Sequence, residues 1–345
     1  MFKEIKNNSA FIQFPGNANF YYATNCDFGL HVIINNKNYL FTSFMDYELA
    51  KEYFKGKIIP VKKKKEVFEW LKKKGIEEIF LPQEVSYIKA KEIEKMGFKV
   101  NFIQNPFIEK RKIKSAKEIK AIKECCEITI KTFKLALKII RKNAKCSEIK
   151  KRLENYLYSH GYVCNDLIVS SGKYSAIPHA TGKGNVENHV VIDIFPMSRK
   201  TKYHADFTRT VVIERNQEIE DMIKACVQAK NIAISIIKEG VKANEIFHKI
   251  CEILEENGYK TIRKNAKEGF IHAAGHGVGL EIHEAPSLSE DSQEVLKAGM
   301  ILTVEPGLYY KKIGGVRVED TVLVRKNKAE ILTKYPDIIK KRCRS

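Results

Sequence analysis

The stretch HVVIDIFPMSRKTKYHADFTRTVV, residues 189–212, places two acidic residues in strand-like segments. The apolar run from Val190 to Phe195 is typical of a buried strand, yet it contains Asp193. Asp206 opens a second run of the same kind after a charged, turn-forming tract, Pro196 to Tyr203. A turn in that tract predicts an antiparallel hairpin with the two aspartates nearly opposite, at about 5–8 Å between their Cβ atoms. Buried carboxylates at this short distance repel each other, so we expect a cation to compensate their charge.

A second acidic stretch, EPGLYYKKIGGVRVEDTV at residues 305–322, repeats this design. Glu305 ends one strand, and Glu319 lies in the returning strand after a turn predicted at Gly314-Gly315. Between the two hairpins, the segment HAAGHGVGLEIHEAP contributes three histidines: His272, His276 and His283. The two hairpins and this segment together indicate one shared site.

Glycines accompany these histidines. His272 and His276 have the i, i+4 spacing of a zinc-binding helix. Gly275, Gly277 and Gly279 would break such a helix. We therefore expect a loop or strand whose backbone approaches a ligand closely.

Four carboxylates and one or more imidazoles match the ligand chemistry of two divalent ions, and they favour Mn, Co, Fe or Zn over Ca. Two such ions about 3.5–4 Å apart can lower the pKa of a shared water toward about 7 and polarise a substrate carbonyl. Either aspartate alone is explained as well by a turn cap or by pairing with Arg199 or Arg209. The combination favours metal-assisted hydrolysis of an amide bond.

Length and composition are those of a globular protein. A chain of 345 residues predicts two domains, and 44% of the residues are hydrophobic. Uninterrupted apolar runs stay far below the roughly 18 residues of a membrane span, and the N-terminus MFKEIKNNSA lacks a hydrophobic signal segment, so a cytoplasmic location without membrane contact is expected. Eight cysteines without CxxC spacing predict reduced core residues.

The net charge of +19 raises the question of a nucleic-acid partner. Most of the excess is lysine, in runs such as KKKK at 62–65 and KKK at 72–74, without interleaved aromatic residues. This pattern favours a solvated lysine-rich surface over a polyanion site, so no nucleic-acid partner is expected.

Two domains are expected, 1–110 and 111–345. The first alternates short apolar strands with amphipathic helices, including a hairpin at Asn35-Asn36, and is α/β. The second has a long helix to about residue 140, a helix at 147–160 capped by Ser147, and later helices and strand pairs. It is predicted to be α+β, with helices packed on a curved antiparallel sheet.

The motifs, taken in order, resemble the superfamily of prolidase, aminopeptidase P, methionine aminopeptidase and creatinase. The segments that carry the resemblance are IPHA (177–180), VVIDIF (190–195), ADFTRT (205–210), HAAGHGVGLEIHE (272–284), TVEPG (303–307) and GGVRVEDTV (314–322). The resemblance covers nearly the whole chain. It implies a pita-bread catalytic domain preceded by a small creatinase-like α/β domain, and a homodimer.

The resemblance also implies five metal ligands: Asp193, Asp206, His276, Glu305 and Glu319. Asp206 and Glu319 should bridge two ions in each subunit, Asp193 should hold one of them, and His276 with Glu305 should hold the other. Mn or Co is expected, with Fe or Zn as alternatives.

Other residues take their expected roles from the same resemblance. Glu305 should also act as general base, while His179 and His283 should contact the substrate and stabilise the tetrahedral intermediate. His272 matches a further pocket histidine, and Arg317 matches a partner of the acidic cluster.

Within that superfamily, methionine aminopeptidases lack an N-terminal domain of this size and creatinase lacks the complete metal set. The resemblance therefore implies an exopeptidase that cleaves Xaa-Pro bonds at peptide N-termini. Ser287 stands where archaeal-type prolidases place an arginine that binds the dipeptide carboxylate, which leaves dipeptidase and longer-peptide aminopeptidase activity open. Two alternatives are a catalytically silent binding protein with a basic surface and a methionine aminopeptidase-like enzyme.

Overall fold

The computed structural model describes residues 8–341 and divides the chain into two units, Met1–Arg111 and Lys112–Ser345. Within the first unit, a mixed six-stranded sheet has the order β4-β3-β2-β1-β5-β6. Its strands are β1 (Ser9–Gln13), β2 (Leu30–Ile34), β3 (Lys37–Thr42), β4 (Lys57–Pro60), β5 (Glu78–Pro82) and β6 (Lys99–Ile103). The helices are α1 (Ala18–Thr24), α2 (Tyr47–Tyr53), α3 (Lys65–Lys73), α4 (Tyr87–Lys95) and α5 (Pro106–Lys112).

The hairpin predicted at Asn35 and Asn36 is confirmed. It joins β2 to β3, and the two asparagines have φ values of 49° and 60°. Positive φ at both central residues is the geometry of a two-residue turn that matches the strand twist, and asparagine tolerates it well.

The second unit combines long helices with several small sheets. Its helices are α6 (Ala116–Ile139), α7 (Cys146–Ser159), α8 (Gln217–Ile236) and α9 (Ala243–Glu256). Its strands are β7 (Tyr162–Val163), β8 (Ile168–Ser171), β9 (His189–Asp193), β10 (Met197–Ser198), β11 (Thr208–Val212), β12 (His276–Gly277), β13 (Glu284–Ser287), β14 (Ile301–Val304), β15 (Gly307–Tyr310), β16 (Gly314–Arg317), β17 (Asp320–Val324), β18 (Ala329–Ile331) and β19 (Ile339–Lys340). The two largest sheets have the orders β19-β11-β9-β8 and β13-β12-β14-β17-β18.

Helices cover one face of each large sheet. Val190 and Ile192 of β9 belong to the apolar cluster that contains residues of α6 and α7. Leu302 and Val304 of β14 belong to a second cluster, with residues of α8 and α9. Because side chains alternate along a strand, Asp193 of β9 points to the face away from α6 and α7.

Helix α7 begins differently from the prediction. Its N-cap is Lys145, which makes no side-chain cap, so the prediction of a Ser147 cap was wrong. Instead, the Cys146 N–H donates to the Gly184 carbonyl at 3.0 Å, and Lys145 forms a β-bridge with Asn185. A neighbouring backbone segment thus satisfies the helix terminus where a side-chain cap normally would.

No helix in residues 8–341 is both long and apolar enough to span a membrane. Within the same residues the cysteines are free and buried, as predicted for core cysteines. Cys343 lies outside the described residues.

Candidate metal centre

Strands β9 and β11 carry the first two acidic residues of the site. They pair antiparallel, as predicted, but Asp193 lies opposite Thr208, and Asp206 lies two residues before β11 begins. The two aspartates are therefore not directly opposite, because Asp206 is offset by two positions from the partner of Asp193. The tract between them continues the same register, because Met197 bridges with His204, and the turn lies at residues 199–201, one residue later than a direct Asp193–Asp206 pairing would require.

Thr321 holds Asp206 in place from a different strand. The Thr321 hydroxyl donates to the Asp206 carbonyl at 2.7 Å and accepts from the Asp206 N–H at 3.3 Å. Asp206 is therefore positioned by β17 as well as by the segment that leads into β11.

Glu305 and Glu319 occupy facing breaks in a long hairpin. Glu305 lies between β14 and β15, and Glu319 between β16 and β17. The turn predicted at Gly314-Gly315 was wrong, because these glycines belong to β16 and the turn lies at residues 311–313. A Cβ on Gly315 would lie 2.0 Å from the Ser175 carbonyl oxygen, so close packing requires this glycine.

The glycines around His276 allow neighbouring backbone segments of the protein to pack closely. A Cβ on Gly275 would lie 2.0 Å from the Thr303 carbonyl oxygen, and one on Gly277 would lie 2.4 Å from the Ala285 carbonyl oxygen. The segment is a loop that contains the two-residue strand β12, which agrees with the prediction of a loop or strand and excludes a zinc-binding helix. We predicted that its backbone approaches a ligand closely. The structure shows instead that β12 approaches its neighbouring strands β13 and β14.

The His276 imidazole points its Nε2 atom toward two carboxylates. Its Nδ1 donates to the Gly277 carbonyl at 3.1 Å, because a carbonyl can only accept, and Nε2 therefore carries no proton in the neutral ring. Nε2 lies 3.4 Å from Glu305 Oε1 and 3.6 Å from Asp206 Oδ2. Ligand atoms of Asp206, His276 and Glu319 lie within 4.8 Å of one another.

Three carboxylate oxygens in this cluster are buried and have no hydrogen-bond partner within residues 8–341: Asp193 Oδ1, Asp206 Oδ1 and Glu319 Oε1. The second oxygen of Glu319, Oε2, accepts from the Thr208 hydroxyl at 2.7 Å. Orphaned buried acceptors of this kind are rare, and cation binding satisfies them.

The electrostatics of the cluster are unfavourable without a cation. Burial and the charges of Glu319 and Asp193 raise the pKa of Asp206 well above its ordinary value. Burial and the charges of Glu305 and Asp193 raise the pKa of Glu319 in the same way. Burial also raises the pKa of Glu305 and lowers that of His276. A neutral imidazole and crowded carboxylates are the donor set that a divalent ion stabilises.

A chain of hydrogen bonds leads from the acidic cluster to His272. Arg317 donates from Nη2 to Asp193 Oδ2 at 2.6 Å and from Nη1 to the Tyr309 hydroxyl at 2.7 Å. The Tyr309 hydroxyl lies 3.1 Å from His272 Nε2, and His272 Nδ1 lies 2.7 Å from the Ala273 carbonyl. His272 therefore donates from Nδ1 and accepts from Tyr309.

A cavity of about 860 Å³ opens over the cluster. All the residues predicted for the site line it except Glu319, which lies beneath: His179, Asp193, Asp206, His272, His276, His283, Glu305 and Arg317. His179 and His283 are exposed, and the His283 ring packs edge-on against His276 with centroids 4.1 Å apart. An apolar wall of Ile168, Ile177, Phe195, Ile271 and Ile282 completes the lining together with Ser287.

Sequence reasoning missed the residues that support the site. Thr208 and Thr321 lie within the motifs that carry the resemblance and Tyr309 lies between two of them, but only the fold reveals their partners. Lys114 also escaped notice; its ammonium pairs at 2.7 Å with Glu284, a residue of the cavity lining. Because Lys114 lies 170 positions from Glu284, the sequence gives no signal for this contact.

The chain is similar to several known proteins over nearly its full length. The Xaa-Pro dipeptidase of Pyrococcus furiosus is 34% identical over 334 residues, which cover 94% of this chain and 92% of that protein. The solved structure of the prolidase from Pyrococcus horikoshii has a TM-score of 0.86 and 32% identity, covering 95% of this chain and 94% of that one. The X-Pro aminopeptidase from Thermotoga maritima has a TM-score of 0.87 and 29% identity, covering 96% of this chain and 97% of that one.

These structural neighbours confirm the predicted fold class, including the pita-bread architecture. The family model of metallopeptidase family M24 matches residues 120–326, the part of the chain that contains every predicted site residue. Such a family implies divalent metal ions, which the unpartnered carboxylate oxygens fit. By this match and by its identity to the Xaa-Pro dipeptidase of Pyrococcus furiosus, the chain belongs to metallopeptidase family M24.

Proposed function

We propose that this protein hydrolyses the bond between the first residue of a peptide and a following proline, using two divalent ions. The observation that carries the proposal is the set of three unpartnered, buried carboxylate oxygens beneath a cavity of about 860 Å³. Relatives named Xaa-Pro dipeptidase and prolidase support the substrate class. They favour neither a silent binding protein nor a methionine aminopeptidase-like enzyme.

The proposed ligands are Asp193, Asp206, His276, Glu305 and Glu319, with residues 111–345 as the catalytic domain. Asp206 and Glu319 would be shared between the ions, Asp193 would bind one, and His276 with Glu305 the other. Mn or Co is the proposed metal. When bound, the ions lower the pKa of a water molecule and polarise the substrate carbonyl.

Glu305 is the proposed general base. Its carboxylate lies at the cavity, and burial raises its pKa, so it can accept the proton of the attacking water. It can then pass this proton to the departing proline nitrogen. That step is needed because the nitrogen of an Xaa-Pro bond has no hydrogen of its own and is a poor leaving group unless protonated.

His283 and His179 are proposed to contact the substrate. Although the His283 side chain is exposed at the cavity, partial desolvation of its ring lowers its pKa, so the ring is neutral near pH 7 and can donate one N–H to the oxygen that becomes negative during the reaction. The apolar wall of the cavity, which includes Ile177 and Phe195, suits the hydrocarbon ring of proline.

An assay of the purified, Mn-loaded protein on three peptides tests the proposal. We expect cleavage of Ala-Pro or Ala-Pro-Ala and none of Met-Ala, with the products quantified by chromatography. The ratio of kcat/KM on Ala-Pro to that on Ala-Pro-Ala separates a dipeptidase from an enzyme for longer peptides. Exclusive cleavage of Met-Ala would establish the methionine aminopeptidase alternative, and two bound ions without any cleavage would establish the binding protein.

A further inference from the structure

His189 is a fully buried histidine that lies outside the set of proposed ligands. It is the first residue of β9, four positions before Asp193, and its exposed fraction is 0%. Burial lowers its pKa to about 4, so its ring is neutral near pH 7. An imidazole buried this completely is kept only where its ring nitrogens are hydrogen-bonded.

The ring connects three segments of the chain. Its Nε2 lies 3.0 Å from the Ser175 hydroxyl and 3.1 Å from the Gly315 carbonyl of β16, and its Nδ1 lies 2.7 Å from Asn188 Oδ1. The Ser175 hydroxyl donates its own proton to the Gly172 carbonyl at 2.6 Å. Both groups that face Nε2 can therefore only accept, so Nε2 carries the proton. Nδ1 of the neutral ring then accepts, which requires the Asn188 side chain to present its NH2 group at the Oδ1 position.

Ser175 also links its own segment, residues 172–176, directly to β16. The Gly315 N–H donates to the Ser175 hydroxyl at 2.8 Å. The two glycines of β16 leave the space for this contact, because a Cβ on Gly314 would lie 2.8 Å from the His189 ring and one on Gly315 would lie 2.0 Å from the Ser175 carbonyl oxygen. The Gly-Gly pair is thus explained by the close approach of His189 and Ser175.

Ser175 is connected to His179 by a short hydrogen-bonded path. It lies in a 3-10 turn, Gly172–Ala176, and the Ile177 N–H donates to the Tyr174 carbonyl at 3.1 Å. The Ala180 N–H then donates to the Ile177 carbonyl at 3.0 Å. We call residues 177–180 the His179 turn. They directly follow the 3-10 turn Gly172–Ala176, which is bonded to His189 and β16 through Ser175.

We propose that His189 is a positioning residue that fixes the His179 turn against β16, so that His179 meets the substrate above the acidic cluster. The part played by His179 rests on the proposed function, whereas the fixing of the turn does not. His189 itself does not line the cavity and touches no ligand of the proposed site.

Hydrogen exchange tests the structural half without any activity. In His189→Leu the Ile177 and Ala180 amides should exchange at least about tenfold faster than in the wild type, while amides of α9 keep their rates. His189→Gln, which can place an amide N–H near the position of Nε2, should restore slow exchange. Unchanged exchange of the two amides in His189→Leu, or equal acceleration throughout α9, would overturn the proposal. If His189→Leu does not fold, Ser175→Ala replaces it with the same expected pattern.

A double-mutant cycle tests the catalytic half. On an Xaa-Pro peptide, His189→Leu should lower kcat/KM by about 10²-fold, as expected when a substrate-contacting group is displaced by about 1 Å. It should cause no further loss in a His179→Ala background, because both changes remove the same contribution. Bound Mn per chain should stay at the wild-type value. Additive losses, or reduced Mn binding by His189→Leu, would contradict a role through His179.

A wild-type protein that cleaves no Xaa-Pro peptide would refute the proposed function. The exchange result would then decide by itself whether His189 fixes the His179 turn.

Discussion

Arg317 donates a hydrogen bond to Asp193 across 2.6 Å, from Nη2 to Oδ2, and both side chains are buried. This contact occupies one oxygen of the carboxylate and leaves Oδ1 without a partner in residues 8–341. Arg317 also donates to Tyr309 and so holds the carboxylate in a fixed orientation. A neighbouring cation of this kind would orient Asp193 for the metal-binding role that we propose for it.

Removal of Arg317 should therefore impair the site without removing a ligand. We expect Arg317→Met to lower kcat/KM or Mn affinity by about 10- to 100-fold, with Tyr309→Phe causing a smaller loss. Arg317→Lys should recover only part of the function, because lysine cannot contact Asp193 and Tyr309 with one planar group. Steady-state kinetics and Mn titration measure both effects. Arg325→Met, at an exposed pair with Glu330, is the matched control, and wild-type behaviour of Arg317→Met would refute the orienting role.

Replacement of Glu305 should separate catalysis from folding. We expect Glu305→Gln to lower kcat by about 10²–10⁴-fold, because an amide cannot accept the proton of the attacking water. The exposed Glu290→Gln serves as the control and should keep wild-type kcat. Near-normal turnover by Mn-loaded Glu305→Gln would assign the base to another group.

A methyl group at Gly275 should disturb the strand that carries His276. The added Cβ would lie 2.0 Å from the Thr303 carbonyl oxygen, so the backbone must move, at a cost of about 1–3 kcal/mol in unfolding free energy. Thr303 also binds the His276 N–H through its hydroxyl, so Mn affinity should fall as well. Gly75→Asn is the comparison, since Gly75 has a φ of +74° and nothing within 4 Å, and asparagine tolerates this conformation. Equal thermal stability of Gly275→Ala and the wild type would show that the close approach is not rigid.

The buried His31 should make the stability of the first unit fall in acid. Its Nδ1 lies 2.9 Å from the Gln13 side chain and its Nε2 3.1 Å from that of Asn38, and burial lowers its pKa to about 4. The unfolded chain, with a histidine pKa of about 6.5, binds a proton that the folded protein does not bind between pH 6.5 and 4. Stability is therefore lost as the pH falls through this window, by about 2 kcal/mol between pH 7.5 and 4.5.

Urea unfolding followed by the fluorescence of Trp70 measures this effect. Trp70 is the single tryptophan of the sequence, and its ring lies 5.1 Å from that of Phe41 inside the first unit. His31→Leu should show a weaker pH dependence than the wild type by about 2 kcal/mol. The exposed His160→Leu should keep the wild-type dependence. Parallel pH curves for His31→Leu and the wild type would mean that His31 is not kept neutral by burial.

Acidic residues in apolar strands point from the sequence to a shared cation, and the structure brings ligand atoms of Asp206, His276 and Glu319 within 4.8 Å of one another. The register of the strands is harder to predict from the sequence. Asp193 pairs with Thr208 and not with Asp206, since the turn of this hairpin, at residues 199–201, lies one residue later than that pairing requires. Turn composition cannot reveal such a shift.

The structural role of the glycines was equally hard to predict from the sequence. Gly314 and Gly315 suggest a turn by composition, yet they lie in a strand because His189 and Ser175, 126 and 140 positions away, pack against them. The glycines beside His276 similarly accommodate neighbouring backbone. A glycine that is required for close packing and one that is required for a turn look alike until the distant partner is known.

The central claim is that five side chains bind two divalent ions, and metal stoichiometry tests it most directly. Equilibrium dialysis of the purified protein against Mn should give about two ions per chain, with Asp206→Asn reducing this number and abolishing Xaa-Pro hydrolysis, because Asp206 is the proposed shared ligand. Binding of no Mn, Co, Fe or Zn by the wild-type protein, or undiminished binding by Asp206→Asn, would contradict the account.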